Sequence, residues 1–387
     1  MQPETKVGRA EAARWSGALD LLRLLRTEPG ITRTEAARVL QLTSGSATEI
    51  CARLRALGLL SERPARPGGR GRPTFTLHAH PEGPLAVAVD LRHAEWCVAV
   101  GDLEGRLSDV RTEAHRDRSP EAVLAAIGGA VKRLSRRYGP RVRAVSVSVI
   151  ATVQHHRIAQ ASGLGWEDVE VAPLIPGVLQ LTGNNANLAG LAEARRVHPD
   201  KTLLFLTVEA GVGGVFVDRG RAITGATGAG GEFGHLPFGD PSVTCGCGAQ
   251  GCWETAVDGR FLARRLGRAE PDDPGAFLAS VLAEDSPESQ AAVKESAAAF
   301  GRGTAGLVNA LDPEIIAIGG AAPDLRRTTG PVLDEAYGAA LMHFRRSDPP
   351  ELQRATLGED AALLGAADAA FDEILTEYGL NTWSDSH

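Results

Sequence analysis

Cysteine is scarce in this 387-residue chain, with five residues, and so is unbroken apolar sequence. No run approaches the length of a bilayer, which excludes a membrane-spanning helix. With so few cysteines and no apolar leader segment, the disulfide framework of a secreted domain is excluded and a reducing, cytoplasmic setting is predicted. In such a setting, closely spaced cysteines bind metal more often than they pair.

Three of the five do lie close together. Cys245, Cys247 and Cys252 fall within eight positions, and His235 precedes them by ten. Three thiolates and one imidazole complete a closed tetrahedral shell, so one structural zinc ion is expected, with the intervening glycines letting the backbone turn tightly enough for the sulfurs to converge. Cys51 and Cys97 lie in apolar surroundings and read as core residues. Two carboxylates in the same segment, Glu232 and Glu254, are not needed by the metal. A polyhydroxy ligand would suit them.

The net charge of −7 conceals an asymmetry, because residues 1–80 carry 13 Lys and Arg against 7 Asp and Glu, leaving the remainder strongly acidic. A basic module on an acidic body points to a polyanion, and nucleic acid is the obvious one. Apolar residues recur at helical spacing from Trp15 to Leu25, and Glu28-Pro29-Gly30 ends that helix. Thr32 and Glu35 form a capping box for a second helix. A third, about Ser44 to Leu57, puts Ala47, Ile50, Leu54 and Leu57 on one face and Ser44, Ser46, Thr48, Glu49 and Arg53 on the other. Leu59-Leu60 and Phe75-Thr76-Leu77 can form a two-stranded wing whose tip carries Arg63, Arg66, Arg70 and Arg72. The pattern predicts a winged helix-turn-helix over 1–80, with Ser44, Ser46, Thr48 and Arg53 facing a major groove and Arg70 and Arg72 a narrow one.

After a linker rich in proline and glycine near Pro81-Glu82-Gly83-Pro84, the order strand, strand, strand, helix, strand appears twice. Its first instance runs from Leu85 to Ile150, with a helix from Pro120 to Tyr138. The second begins near Lys201, with a helix from Pro287 to Leu311 and a strand from Ile315. Two similar halves facing one cleft are implied.

The segments Gly231-Glu232-Phe233-Gly234-His235 and Cys245-Gly246-Cys247 through Cys252-Trp253-Glu254, with Asn184-Asn185-Ala186-Asn187, resemble the ROK family of repressors, open reading frames and kinases, in its sugar-responsive repressor branch. The resemblance implies an α/β fold in which a winged helix-turn-helix is followed by a two-lobed, actin-like (ribonuclease H-like) sugar-kinase domain over about 85–380. Its first lobe would run to about 185 with a C-terminal helix added, its second from 186 to 360, and residues 381–387 would be a polar tail. It also implies that Asn184, Asn185, Glu232, His235 and Glu254 touch sugar hydroxyls, and that His235, Cys245, Cys247 and Cys252 hold the zinc.

Three departures from the family's kinases stand out. The catalytic Asp of their Asn-Asp-Ala-Asn motif is here Asn185, an amide that cannot take a proton. The first phosphate loop reads Asp90-Leu91-Arg92-His93-Ala94, without the family's glycines, and Glu209 stands in the second loop, where a carboxylate would repel ATP. The resulting expectation is a chain without enzymatic activity: a transcriptional repressor, dimeric or a dimer of dimers to match a two-fold operator, released from double-stranded DNA by a sugar effector. The alternatives are a sugar kinase with an accessory DNA-binding domain, a regulator gated by a protein partner or a non-sugar metabolite, and an activator.

Overall fold

In the computed structural model, which describes residues 9–65 and 75–385, the amino-terminal module consists of α1 (Arg9–Thr27), α2 (Arg33–Val39), α3 (Ser44–Ala56), β1 (Leu60–Pro64) and β2 (Phe75–Ala79). The Thr32–Glu35 capping box opens α2 as expected, and the Thr43 side chain accepts from Ser46 N to start α3. Between them Gln41 takes a left-handed conformation (φ 53°), which lets α3 leave α2 through a short turn. β1 and β2 pair antiparallel from Leu60↔Ala79 to Pro64↔Phe75. Trp15, Leu22, Leu25, Leu54 and Leu77 are fully buried between these elements.

The first lobe follows, with β3 (Leu85–Leu91), β4 (Glu95–Gly101), β5 (Leu107–Ala114), α4 (Pro120–Tyr138) and β6 (Val142–Val149). A small antiparallel sheet of β7 (Thr152–Gln154), β8 (Arg157–Ala161) and β9 (Trp166–Val169) intervenes before β10 (Leu179–Asn184) and α5 (Asn185–Val197). In the main sheet the order is β10-β6-β3-β4-β5, parallel from β10 to β3 and antiparallel beyond. All seven residues of β3 are buried, because helices cover both faces of this central strand.

The second lobe repeats this order. It contains β11 (Thr202–Val208), β12 (Val212–Asp218), β13 (Arg221–Ala222), α6 (Gly259–Arg265), α7 (Pro274–Leu282), α8 (Pro287–Leu311), β14 (Ile315–Gly320), α9 (Ala322–Thr329), α10 (Val332–Ala340) and β15 (Glu351–Arg354). Its sheet runs β13-β12-β11-β14-β15, with β11, β14 and β15 parallel. Pro287 at the first turn of α8, with Ser286 accepting from Ser289 N, sets where that 25-residue helix begins.

The chain then returns. α11 (Ala361–Ile374) packs on β3, β6 and α5, and α12 (Glu377–Ser384) packs on α1. Residues 381–385, expected within a polar tail, are therefore structured. Trp383 is buried and donates from Nε1 to Leu57 O at 2.7 Å, and Asn381 Oδ1 accepts from Trp15 Nε1 at 2.7 Å. Beside them lies a buried ionic centre in which Asp368 Oδ1 of α11 accepts from Arg26 of α1 at 2.5 Å and from Arg196 of α5 at 2.7 Å.

The side chains of Arg26 and Asp368 are 10% and 4% exposed, so neither guanidinium nor carboxylate can exchange its partner for water. Asp368→Ala should therefore cost about 3–5 kcal/mol by leaving buried guanidinium charge uncompensated. Guanidinium denaturation of wild type and variant measures this, and a loss below about 1 kcal/mol would show that the centre relaxes to solvent.

Candidate functional site

The segment between β13 and α6 has little regular structure, and an aromatic anchor holds it in place. Trp253 stacks on Phe300 of α8 with ring centroids 5.4 Å apart and donates from Nε1 to Ala299 O at 3.0 Å. Gly303 allows this close fit, since a Cβ there would lie 2.1 Å from the indole. Cys252 and Glu254 flank the anchored residue, so both are placed from the second-lobe core.

His235, Cys245, Cys247 and Cys252 converge, their ligand atoms all lying within 4.8 Å of one another. Cys247 Sγ is 3.6 Å from Cys252 Sγ, and Cys245 Sγ is 3.7 Å from His235 Nδ1. Bonds of about 2.3 Å in a tetrahedron require edges near 3.8 Å, so these four residues can hold a metal ion with little rearrangement. Burial pushes the Cys245 and Cys252 thiols above their ordinary range, Cys252 to about 11, so a cation is needed to keep them as thiolates. Nε2 of His235 lies 3.8 Å from a Glu232 oxygen, within ion-pair reach but beyond a hydrogen bond.

One cavity between the lobes is bounded by Asn184, Asn185, Glu232, His235 and Glu254, the five residues that the family resemblance implies for a sugar. The amino end of α5 supplies the two amides. Asn184 caps the helix, with Oδ1 accepting from Asn187 N at 3.0 Å and Nδ2 donating to Ala151 O at 2.9 Å. Its amide is thus engaged on both sides, which makes it a wall of the cavity more than a free donor. Asn185 Oδ1 accepts from Ala186 N at 2.8 Å.

Glu254 reaches the cavity past Gly211, where a Cβ would lie 2.4 Å from its Oε2. Gly231 has φ +96° and abuts Gly214 O, so only glycine lets Glu232 turn inward. Cys245 Sγ donates to Glu254 Oε1 at 3.0 Å. A metal-bound thiolate has no such proton, and metal loading would leave that oxygen to the cavity.

Further along the cleft, Asp90 is buried and accepts from Ser148 Oγ at 2.8 Å and Arg92 Nε at 2.7 Å. Arg92 also donates to Glu95 and to Glu359 O, while the His93 ring spans the lobes to Asp272 O at 2.7 Å. Glu209 borders the same cavity as Asn185. Its surface is open to the cleft, yet both lobes crowd it, and this burial pushes its carboxyl above the ordinary range, with Asp90 adding to the push. Arg260, which donates to Asp258 and to Ala210 O, also borders the cavity and had no signal in the motifs.

On the amino-terminal module, Ser44 and Thr48 are exposed at the start of α3 and Ser46 is half-buried against Thr43 Oγ1 at 2.8 Å. Arg53 is half-buried with its guanidinium 5.0 Å over the Trp15 ring. The helical face drawn from sequence thus turns Arg53 inward while Ser44 and Thr48 point out. Arg70 and Arg72 lie outside the described residues.

The ROK family model, described as such, matches residues 86–373. A glucokinase of Streptomyces coelicolor is 27% identical over 316 residues, covering 74% of this chain and 97% of the relative. A solved ROK family glucokinase from Streptomyces griseus, in complex with glucose and AMPPNP, is 25% identical with a TM-score of 0.63 and covers 74% of this chain and 99% of its own. A solved ROK family transcriptional regulator, a homolog of the E. coli Mlc protein, is 20% identical with a TM-score of 0.74 and covers 96% of this chain and 98% of its own. At that identity the last likeness is one of fold, and it extends over the amino-terminal module. These kinases correct the expectation, built on Asn185, Arg92 and Glu209, that the chain has no enzymatic activity. Losses at three motif positions do not outweigh alignment to glucokinases along nearly their whole length.

Two measurements test the site. Metal analysis of reduced, freshly purified protein should return one ion per chain, and Cys247→Ser should lower metal content and melting temperature together. Metal-free wild type would overturn the assignment. Asp258, which caps α6 through Phe261 N at 2.9 Å, is pushed by burial up to about 6. Between about pH 4 and 6 the folded chain then keeps a proton that the unfolded chain has released. Its stabilising contribution is full below pH 4 and lost as pH rises through 6, so Asp258→Asn should flatten the melting temperature across that window, and an unchanged slope would refute the shift.

Proposed function

Because the chain belongs to the ROK family and has its α/β sugar-kinase fold, we propose that it binds a sugar between its lobes and DNA through its amino-terminal module, with occupancy of the first site lowering affinity at the second. The observation that carries this reading is the convergence of Asn184, Asn185, Glu232, His235 and Glu254 on one cavity. Carboxylates and amides are the groups that hold vicinal hydroxyls. Zinc suits the three thiolates and imidazole, and in this reading it braces Glu254.

The winged helix-turn-helix reading is supported by α2, α3 and the β1–β2 hairpin, with Ser44 and Thr48 exposed for base edges and Arg70 and Arg72 assigned to phosphates. A two-fold operator calls for a dimer. One helix joins the two sites. α5 begins at Asn185 in the cavity and carries Arg196 in its last turn, where it shares Asp368 with Arg26 of α1. A sugar that shifts α5 therefore acts on the seat of the DNA-binding module.

Phosphorylation of the bound sugar by ATP is the second reading, and it is the one that the glucokinase relatives favour. The two are compatible in one chain. An ATP-turnover assay across hexoses tests the second directly.

Glu254→Ala tests the first. A duplex selected from a random pool by the wild-type protein, titrated with monosaccharides, identifies the sugar that releases it. Loss of one charged acceptor should weaken release by about 1.5–3 kcal/mol, on the order of 10- to 150-fold in sugar concentration, with DNA affinity in the absence of sugar unchanged. An unaltered release curve would mean that the signal enters elsewhere.

A further inference from the structure

We propose that Glu209 is the general base for phosphoryl transfer, replacing the carboxylate absent at Asn185 from the facing strand turn. The proposal rests on the phosphoryl-transfer reading above. Glu209 follows β11 in the tight turn to β12, where its N donates to Gly211 O at 2.9 Å, and its side chain enters the cavity that Asn185 also borders. Thr207 Oγ1 donates to Oε1 at 3.3 Å, and the Asn185 side chain also interacts with the carboxyl.

The other acidic groups are engaged. Asp90 is closed off by Ser148 and Arg92, and Glu254 Oε1 lies 3.7 Å from His235 Nδ1. Glu232 faces His235 across 3.8 Å. Glu209 is thus the carboxylate that opens on the cavity beside Asn185 without a cation bound to it among the described contacts. Crowding by both lobes and the nearness of Asp90 raise its proton affinity, the direction a base working near neutrality requires.

The step balances without any further reactant than a magnesium nucleoside triphosphate. The sugar hydroxyl proton passes to Glu209 Oε, the freed oxygen bonds to the terminal phosphorus, and the bond from that phosphorus to the bridging oxygen breaks, releasing the diphosphate with the electron pair. Repulsion between Glu209 and the nucleotide is greatest before reaction and falls as the proton arrives. The arrangement therefore weakens ground-state nucleotide binding more than it opposes the transition state.

The test uses the full chain with MgATP and glucose, mannose, N-acetylglucosamine or N-acetylmannosamine, following sugar phosphate by transfer of labelled phosphate. Glu209→Gln should lower kcat by about 10²- to 10⁴-fold, remove the acid limb of its pH profile and lower the KM for ATP, while leaving the KM for sugar within about threefold. Adding Asn185→Asp to Glu209→Gln should restore kcat, because the carboxylate returns to the opposite wall. Activity of Glu209→Gln within threefold of wild type, or a double variant as inactive as Glu209→Gln alone, would overturn the assignment. Absence of sugar phosphate with wild type on all four sugars would instead remove the phosphoryl-transfer reading and this assignment with it, while a sugar-induced rise in melting temperature would leave the sugar-binding reading standing.

Discussion

A single buried carboxylate, Asp368, determines how the parts of this molecule sit together. Two guanidiniums from elements far apart in sequence, Arg26 and Arg196, share its Oδ1. Charges taken this far from water must be matched in place, so the three side chains fix the relative positions of α1, α5 and α11. Around this point the apolar core continues without a break, Trp15, Leu22 and Leu54 of the amino-terminal module packing with Phe371, Leu380 and Trp383. The amino-terminal module is thus seated on the rest of the chain and is not held by a linker alone.

The cleft follows a similar economy of fixed points. Trp253 is sunk against α8, and from that one anchor the chain places the candidate metal ligand Cys252 on one side and the cavity carboxylate Glu254 on the other. Glycines at 211 and 231 are the space into which these groups fit. Where the sequence departs from the first phosphate loop of the family's kinases, the Asp90–Arg92 pair and the His93–Asp272 contact tie loop and lobes together with side chains. One wall of the cavity thus carries carboxylates and amides, while the cleft beyond it is tied by charged side chains.

Much of this was legible in the sequence. The helices expected from Pro120 to Tyr138 and from Pro287 to Leu311 are α4 and α8, the repeated element order announced two lobes, and the cysteine spacing pointed to four residues that do come together. What remained hidden depends on partners distant in sequence. Nothing near Trp383 reveals that its indole closes on Leu57, and nothing near Arg53 that its guanidinium covers Trp15 instead of facing outward. The expectation of no enzymatic activity, read from motif positions such as Asn185, was corrected by the likeness to glucokinases along nearly their whole length, and that Glu209 borders the same cavity as Asn185 is visible only in the fold.

The hydrogen bond from Trp383 to Leu57 spans 326 positions, and it has a consequence for biosynthesis. Emerging from the ribosome, α1 to α3 have their own turn and cap signals but lack the surface that closes their core. That surface is made only after both lobes have been synthesised. The polypeptide thus completes its amino-terminal module only after the lobes, though that module is encoded before them, and a nascent chain still tethered to its messenger carries it in an incomplete form.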